Sequence, residues 1–391
     1  MLDKQIEKLI KEEEKRQKDY IDLIPSENFV SQDVLDALGS VLVNKYSEGY
    51  PGARYYNGNS VVDKVENLCR ERALKAFGLS PKEWSVNVQP LSGSPANVAV
   101  YFALVPLGEK IMGIELAHGG HLTHGHKVSI TGKFWKQVPY GVSQDTEMLD
   151  YDELKAIAKK EQPKIVVAGY TAYPRAIDFA KFRKVADVAK AYLMVDMSHI
   201  AGLVVAGVHP SPFPYADIVT TTTHKTLRGP RSAIIFSRID KRELPKKIDR
   251  AIFPGIQGGP HLNQIAAVAV TLHEAMQPSF KTYAKQIVKN TAALAEQLAA
   301  LDWRVVSGGT DTHLVLVDTW LDGRGISGKE AANKLEAGGI VVNKNTIPFD
   351  TRSPADPSGI RIGMAAETTR GAKEKQAKEI AIKIDTILRT K

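Results

Sequence analysis

Between about Val61 and Met276, short apolar runs alternate with stretches of helical spacing: KIMGIEL, KIVVAGY, YLMVDMSH, ADIVTTTTH and SAIIFSR are each the length of a strand. That rhythm predicts a largely parallel sheet wrapped by helices. Ligands bind such sheets beyond the carboxyl ends of the strands, so the polar residues just after each run become the candidates for chemistry. Upstream, Leu2, Ile6, Leu9 and Ile10 mark one face of a leading helix that ends by Pro25. From Ser26 to Ser60 the pattern is irregular, and KYSEGYPGARYYNGNS is too dense in tyrosine, glycine and polar groups for a core. Downstream, a helical segment begins near Asn263 and breaks at Pro278. The helix KTYAKQIVKNTAALAEQLAAL, the strand THLVLVD and a Gly- and Pro-rich stretch from Asn343 to Gly363 follow, predicting a smaller α+β domain. The expected division is an N-terminal arm and interface segment at 1–55, a large α/β domain at 56–277 and a small α+β domain at 278–391.

At 391 residues and 43% hydrophobic content, the chain is long enough for two or three folding units. No stretch approaches the roughly 18 apolar residues of a membrane span. The N-terminus, MLDKQIEKLIKEEEKRQKDY, carries charges of both signs and no apolar core of a signal peptide, so a cytoplasmic address is expected. Cys69, the single cysteine, excludes an internal disulfide or a thiolate zinc cluster and suits the apolar face of its helix. The net charge of +8 is spread among 44 acidic residues, which fits attraction of small anions better than a nucleic-acid stripe.

Four windows carry candidate chemistry. TTTTHKTLRGPR sets Lys225 directly after an apolar strand, where it is either a Schiff-base lysine or a surface lysine. YLMVDMSHIAGL ends a strand in Asp196, followed by His199. An acid there can pair with the ring nitrogen of pyridoxal 5′-phosphate (PLP), or cap a helix, and the two roles differ in burial. QPLSGSPANVAVYFAL opens a helix on Ser92, Gly93 and Ser94, whose N–H groups and hydroxyls can hold a phosphate. No G-x-x-x-x-G-K-[ST] or G-x-G-x-x-G supports ATP or a dinucleotide. ELAHGGHLTHGHK holds His118, His121, His124 and His126, but their spacing does not match H-E-x-x-H and no acid lies among them, so no metal is expected. An imidazole stacked on a PLP ring is the better use, with His121 the candidate.

Taken in order, YSEGYPGARYYNG, SGSPAN, LAHGGHLTHG, VDMSHIAGL, TTTTHKTLRGPR, PGIQGGP and SGIRIG resemble the serine hydroxymethyltransferase family over nearly the whole chain. The resemblance implies the α/β fold of the fold-type I, aspartate-aminotransferase-like PLP enzymes. It also implies an obligate homodimer with shared sites, leaving dimer or tetramer open. Lys225 would form the PLP aldimine, Gly93 and Ser94 would bind the phosphate, and Tyr46, Gly258 and Gly259 would reach in from the partner subunit. Asp196 would pair with the pyridine nitrogen and His121 would stack on the ring. Thr171 and His199 would contact the 3′-oxygen, and Arg231 would complete the cofactor set.

For the substrate, the resemblance implies that Arg361 clamps the carboxylate, assisted by Ser26 and His199. Glu48 from the partner chain, with Tyr56 beside it, would sit at the β-hydroxyl and the folate, and His224 would tune proton traffic. Tyr55, Leu116, Gly120, His121, Leu122 and Asn345 match positions that, with Glu48, line the family's tetrahydrofolate site. The implied reaction converts serine and tetrahydrofolate reversibly to glycine and 5,10-methylenetetrahydrofolate by retro-aldol-type cleavage. Two departures bear on the folate: Ser353, Pro354 and Ala355 stand where Ser-Pro-Phe is usual, and Gly-Met-Ala-Ala follows Arg361 where Gly-Thr-Pro-Ala is common. They motivate a folate-independent, threonine-type aldolase as the alternative. A nucleic-acid-binding protein or a catalytically dead PLP-fold scaffold are rivals of another class, and the presence of Lys225, Asp196 and Arg361 weighs against the last.

Overall fold

The computed structural model describes residues 3–390, which form two compact units. The first comprises residues 3–27, 172–175 and 286–390, and the second residues 28–171 and 176–285.

The second unit is built on a seven-stranded sheet. In chain order its strands are β1 (Trp84–Asn87), β2 (Lys110–Ile114), β3 (Lys136–Tyr140), β4 (Ile165–Gly169), β5 (Tyr192–Asp196), β6 (Ile218–Thr222) and β7 (Ala233–Arg238). They lie in the spatial order β1-β7-β6-β5-β4-β2-β3. Every pairing from β3 across to β6 is parallel. This is the sheet expected from the apolar runs, since parallel strands covered on both faces need continuous apolar sequence. β4 and β6 are buried along their whole length. The connection from β6 to β7 is too short for a helical crossover, so β7 returns antiparallel to both its neighbours. Lys225 lies in that return.

One apolar core of this unit joins Ala96, Val100 and Tyr101 of the helix Gly93–Leu104 to Ile165, Val167, Met194, Ile218 and Ile235 of the sheet. Each fully buried aliphatic side chain contributes about 1.5–3 kcal/mol, which is what holds that helix against the strands. Cys69 is completely buried on the helix Ser60–Ala76, and burial pushes its thiol above the usual range.

The first unit has a four-stranded antiparallel sheet of β8 (Arg304–Val305), β9 (Leu314–Asp318), β10 (Asn343–Asn345) and β11 (Gly359–Gly363), ordered β8-β9-β11-β10. The leading helix spans Lys4–Asp19, with Leu2 outside the described residues. It ends well short of Pro25 because Ile21 and Asp22 leave it to pair, in parallel, with Ile340 and Val341. The region 26–60 is also less irregular than its sequence suggests. Ser31 caps a helix at Gln32–Leu38, its hydroxyl accepting the Val34 N–H at 3.3 Å. No helix among the described residues is long and apolar enough to cross a membrane.

Candidate active site

Parallel register brings the first set of residues to one edge. Gly169 of β4 lies opposite Asp196 of β5, which lies opposite Thr220 of β6. Position 169 tolerates only glycine, because a Cβ there would fall 2.3 Å from the Asp196 carbonyl oxygen. Directly past the end of β6 the chain turns through Thr223–Thr226. Lys225 is half-buried in that turn and its Nζ donates to Thr222 Oγ1 at 2.8 Å. Its carbonyl accepts Asn28 Nδ2 at 2.9 Å. Thr226 Oγ1 donates to the buried His199 carbonyl at 2.9 Å, so the turn after β5 and the turn after β6 are pinned together.

Asp196 is the hub of this edge. Asn97 Nδ2 at 2.9 Å and His124 Nε2 at 3.2 Å donate to its Oδ2, while Ser198 Oγ at 2.6 Å donates to its Oδ1. Burial pushes the carboxyl up, yet the hydrogen bonds from His124, Ser198 and Asn97 outweigh that and hold it well below the usual carboxylate range. The alternative of a helix cap is excluded, since Ile200 caps the helix that follows. Ser198 Oγ also accepts the Thr222 N–H at 3.0 Å, a direct link from the carboxylate to the lysine's strand. The His121 N–H donates to His124 Nδ1 at 3.2 Å, so the His124 proton sits on Nε2, facing Asp196. His121 Nδ1 is 2.7 Å from Thr123 Oγ1, which takes a further bond from Asn97. The four histidines therefore diverge: His118 accepts from the Val142 N–H and His126 from the Val128 N–H. No metal-holding group of His, Cys, Asp or Glu occurs among the described residues.

Thr171 Oγ1 donates to the Gly120 carbonyl at 2.8 Å, tying the turn after β4 to the segment that runs from Leu116 through Gly120 and His121 to the exposed Leu122. Gly93 and the exposed Ser94 open the helix Gly93–Leu104, whose cap Ser92 makes no side-chain bond to it. A Cβ on Gly93 would come within 2.7 Å of Thr222 Cγ2, beside the hydroxyl that holds Lys225. His224 Nδ1 is buried without a hydrogen-bond partner, and burial together with the Lys225 and Arg231 charges brings the imidazole down to about 3. Arg231 itself is exposed.

A second cluster in the same unit gathers Tyr46, Glu48, Tyr55, Tyr56, Gly258 and Gly259. Tyr46 Oη donates to Glu48 Oε1 at 3.3 Å. The Tyr46 and Tyr56 rings meet edge-on at 5.3 Å, and Tyr55 and Tyr56 at 5.4 Å. A Cβ on Gly259 would touch the Tyr46 ring at 3.2 Å, and one on Gly258 would lie 3.1 Å from Glu48 Oε1. Partial desolvation, then the Glu48 carboxylate, push the Tyr56 phenol up. Tyr55 is 81% exposed.

Three predicted residues belong to the first unit. Arg361 is buried on β11 between Leu316 and Asn343, donates from Nε to Asn343 Oδ1 at 3.0 Å, and is brought down to about 10 by burial. Asn345 ends β10 and Ser26 is half-buried in the turn after Pro25. Of the departures from the family pattern, Met364, Ala365 and Ala366 are buried, Met364 in the main core of this unit. Ala355 is exposed, and its carbonyl accepts Lys344 Nζ at 2.5 Å.

This donor set fits PLP. An amine, an ionised strand-end carboxylate, a helix N-terminus kept open by a glycine and an unpartnered buried imidazole nitrogen stand around one edge of the sheet. Asn97, Ser198 and Thr222 belong to that set and escape the reading of motifs, while His124 joins it as a hydrogen-bond donor to Asp196, a role its histidine-rich window did not suggest. Asn97, on the helix Gly93–Leu104, and His124, in the loop after β2, lie 99 and 72 positions from Asp196, and only the tertiary fold brings them to it.

The family model described as Serine hydroxymethyltransferase matches residues 1–384. A serine hydroxymethyltransferase of Koribacter versatilis is 54% identical over 99% of this chain and 89% of its own length. Those of Acidobacterium capsulatum and Desulfotalea psychrophila are each 55% identical over 94% of this chain and 84% of their own lengths.

Proposed function

The chain belongs to the serine hydroxymethyltransferase family, and on that premise we propose how its residues divide the work of a PLP-dependent glycine hydroxymethyltransferase. The reaction is the reversible conversion of serine and tetrahydrofolate to glycine and 5,10-methylenetetrahydrofolate. PLP supplies an electron sink that weakens the bonds at the substrate α-carbon. Lys225 carries the cofactor and Asp196 holds the proton on its ring nitrogen. Gly93 and Ser94 would bind the phosphate, His121 would stack on the ring, Thr171 and His199 would bond the 3′-oxygen, and Arg231 would complete the cofactor set.

Arg361 grips the substrate carboxylate through two parallel hydrogen bonds, assisted by Ser26 and His199. Glu48 moves the proton at the serine hydroxyl and Tyr56 orients it. His224, held neutral by burial, tunes proton traffic next to Lys225. Tyr55, Leu116, Gly120, Leu122 and Asn345 line the folate. In the same reading the enzyme is a cytoplasmic homodimer, in which a second copy supplies Tyr46, Glu48, Gly258 and Gly259, and the chain divides at 1–55, 56–277 and 278–391.

The observation that carries this reading is the register that sets Asp196 level with Thr220, so that an ionised carboxylate and the lysine turn leave adjacent strands at one edge. Serine cleavage by the purified protein, measured with and without tetrahydrofolate, is the test. Turnover is expected to require the folate. Equal rates in both arms would instead support a folate-independent aldolase.

A further inference from the structure

Glu48 stands on a backbone that is gripped from beneath. The Arg54 side chain is 4% exposed, and its Nη1 donates to the carbonyls of Ser47 at 3.0 Å and Gly49 at 2.7 Å, the two peptide oxygens that bracket Glu48. Its Nε reaches Asp63 Oδ1 at 2.8 Å and its Nη2 reaches Glu66 Oε2 at 2.6 Å. Glu66, 1% exposed, accepts Gln89 Nε2 on its other oxygen at 2.9 Å, and that amide also donates to the Gly49 carbonyl at 3.0 Å. Gly49 takes φ +93°, and a Cβ there would fall 2.4 Å from the Ala53 carbonyl, so the bend after Glu48 admits no other residue.

Burying two charges is costly, and an apolar pair of similar volume often serves stability as well. What an apolar pair cannot supply is a planar fork that holds two chosen carbonyls while both charges stay bonded. We propose that Arg54 and Glu66, with Gln89, are positioning residues: they fix the Ser47–Gly49 backbone and thereby set where the Glu48 carboxyl and the tyrosines around it stand for proton transfer. The inference rests on the assignment of Glu48 to the serine hydroxyl.

Arg54→Lys, Glu66→Gln, Glu48→Gln and the double variant Glu48→Gln/Arg54→Lys test it. Lysine keeps a cation beside Glu66 and Asp63 but cannot fork, so Arg54→Lys remains informative even where Glu66→Gln fails to fold. Each positioning variant is expected to lower kcat on the order of a hundredfold, as a misplacement near 1 Å does, while KM for serine and the cofactor absorbance band hold. Amide hydrogen exchange in the cofactor-free protein is expected to quicken at residues 47–56 alone. The double variant should be no slower than Glu48→Gln by itself, because residues acting through one group are not additive. Multiplying losses in the double variant, unchanged exchange at 47–56, or wild-type turnover in Arg54→Lys would each overturn the inference. Wild-type turnover in Glu48→Gln would instead overturn the Glu48 assignment, and the inference with it.

Discussion

The strand edge around Lys225 and the loop around Glu48 lie in one unit and solve opposite problems. At the edge, the Asp196 carboxylate takes hydrogen bonds from Asn97, His124 and Ser198, all supplied by this chain. Its partners sit on the helix Gly93–Leu104, in the loop after β2 and in the turn after β5. Around Glu48 the backbone is held from below by Arg54, but the aromatic side chains face outward, with Tyr46 and Tyr55 both exposed. On the proposed assignments, the cofactor seat is charged and rigid before the cofactor arrives, whereas the loop that would meet substrate leaves its side-chain face open and fixes its peptide bonds.

Substitutions can break or sharpen that contrast. The largest effect is expected from Lys225→Ala, which should lower turnover roughly a thousandfold or more with the circular dichroism spectrum unchanged. Retention of more than a tenth of the activity would remove the lysine from its assigned role. Asp196→Ala should cost about 3 kcal/mol in urea denaturation, because it strands buried donors on Asn97, His124 and Ser198. Tyr55→Ala, in the loop, should stay within about 0.5 kcal/mol of the parent. Similar losses for the two would mean that edge and loop do not differ as described.

A subtler test concerns the glycine beside Thr222. Gly93→Ala should weaken PLP binding in a cofactor titration by about tenfold, since its methyl would crowd Thr222 Cγ2. Adding Thr222→Ser, which removes that methyl group and keeps the hydroxyl, should restore binding. Failure of this rescue would place the phosphate elsewhere.

The smallest effect is a change of slope. His224 titrates lower in the folded chain, at about 3, than its ordinary 6.5. Between those two values the unfolded chain therefore binds the extra proton, and stability falls as pH falls. His224→Gln should flatten stability against pH across this window in urea denaturation. An unaltered slope would mean that the imidazole is not buried and neutral.

Much of this was readable beforehand, for identifiable reasons. β4 and β5 announce themselves by their apolar runs, since strands covered on both faces must be apolar, and Asp196 stands out as the polar residue on which β5 stops, as Lys225 does just past β6. The helix Gln32–Leu38 is short, buries only Val34 and leaves Leu35 49% exposed, so no apolar stripe marks it and only the Ser31 cap does. Asn97, on a helix, and His124, in a loop, acquire their roles only when the fold packs them against the end of β5. Glu66 left a trace: with Val62, Cys69 and Ala73 it falls on the buried stripe of the helix Ser60–Ala76, and a charge on an apolar stripe signals a buried partner. Naming Arg54 as that partner required the hairpin that pairs Gly49 with Arg54 and Tyr50 with Ala53.

The most direct measurement is to treat the PLP-loaded protein with borohydride and map the peptide that acquires the phosphopyridoxyl mass. A single modified peptide containing Lys225, absent after prior resolution of the cofactor, is the expected result. Modification of any other lysine in preference to Lys225, or none at all, would contradict the assignment of the strand edge as the cofactor seat.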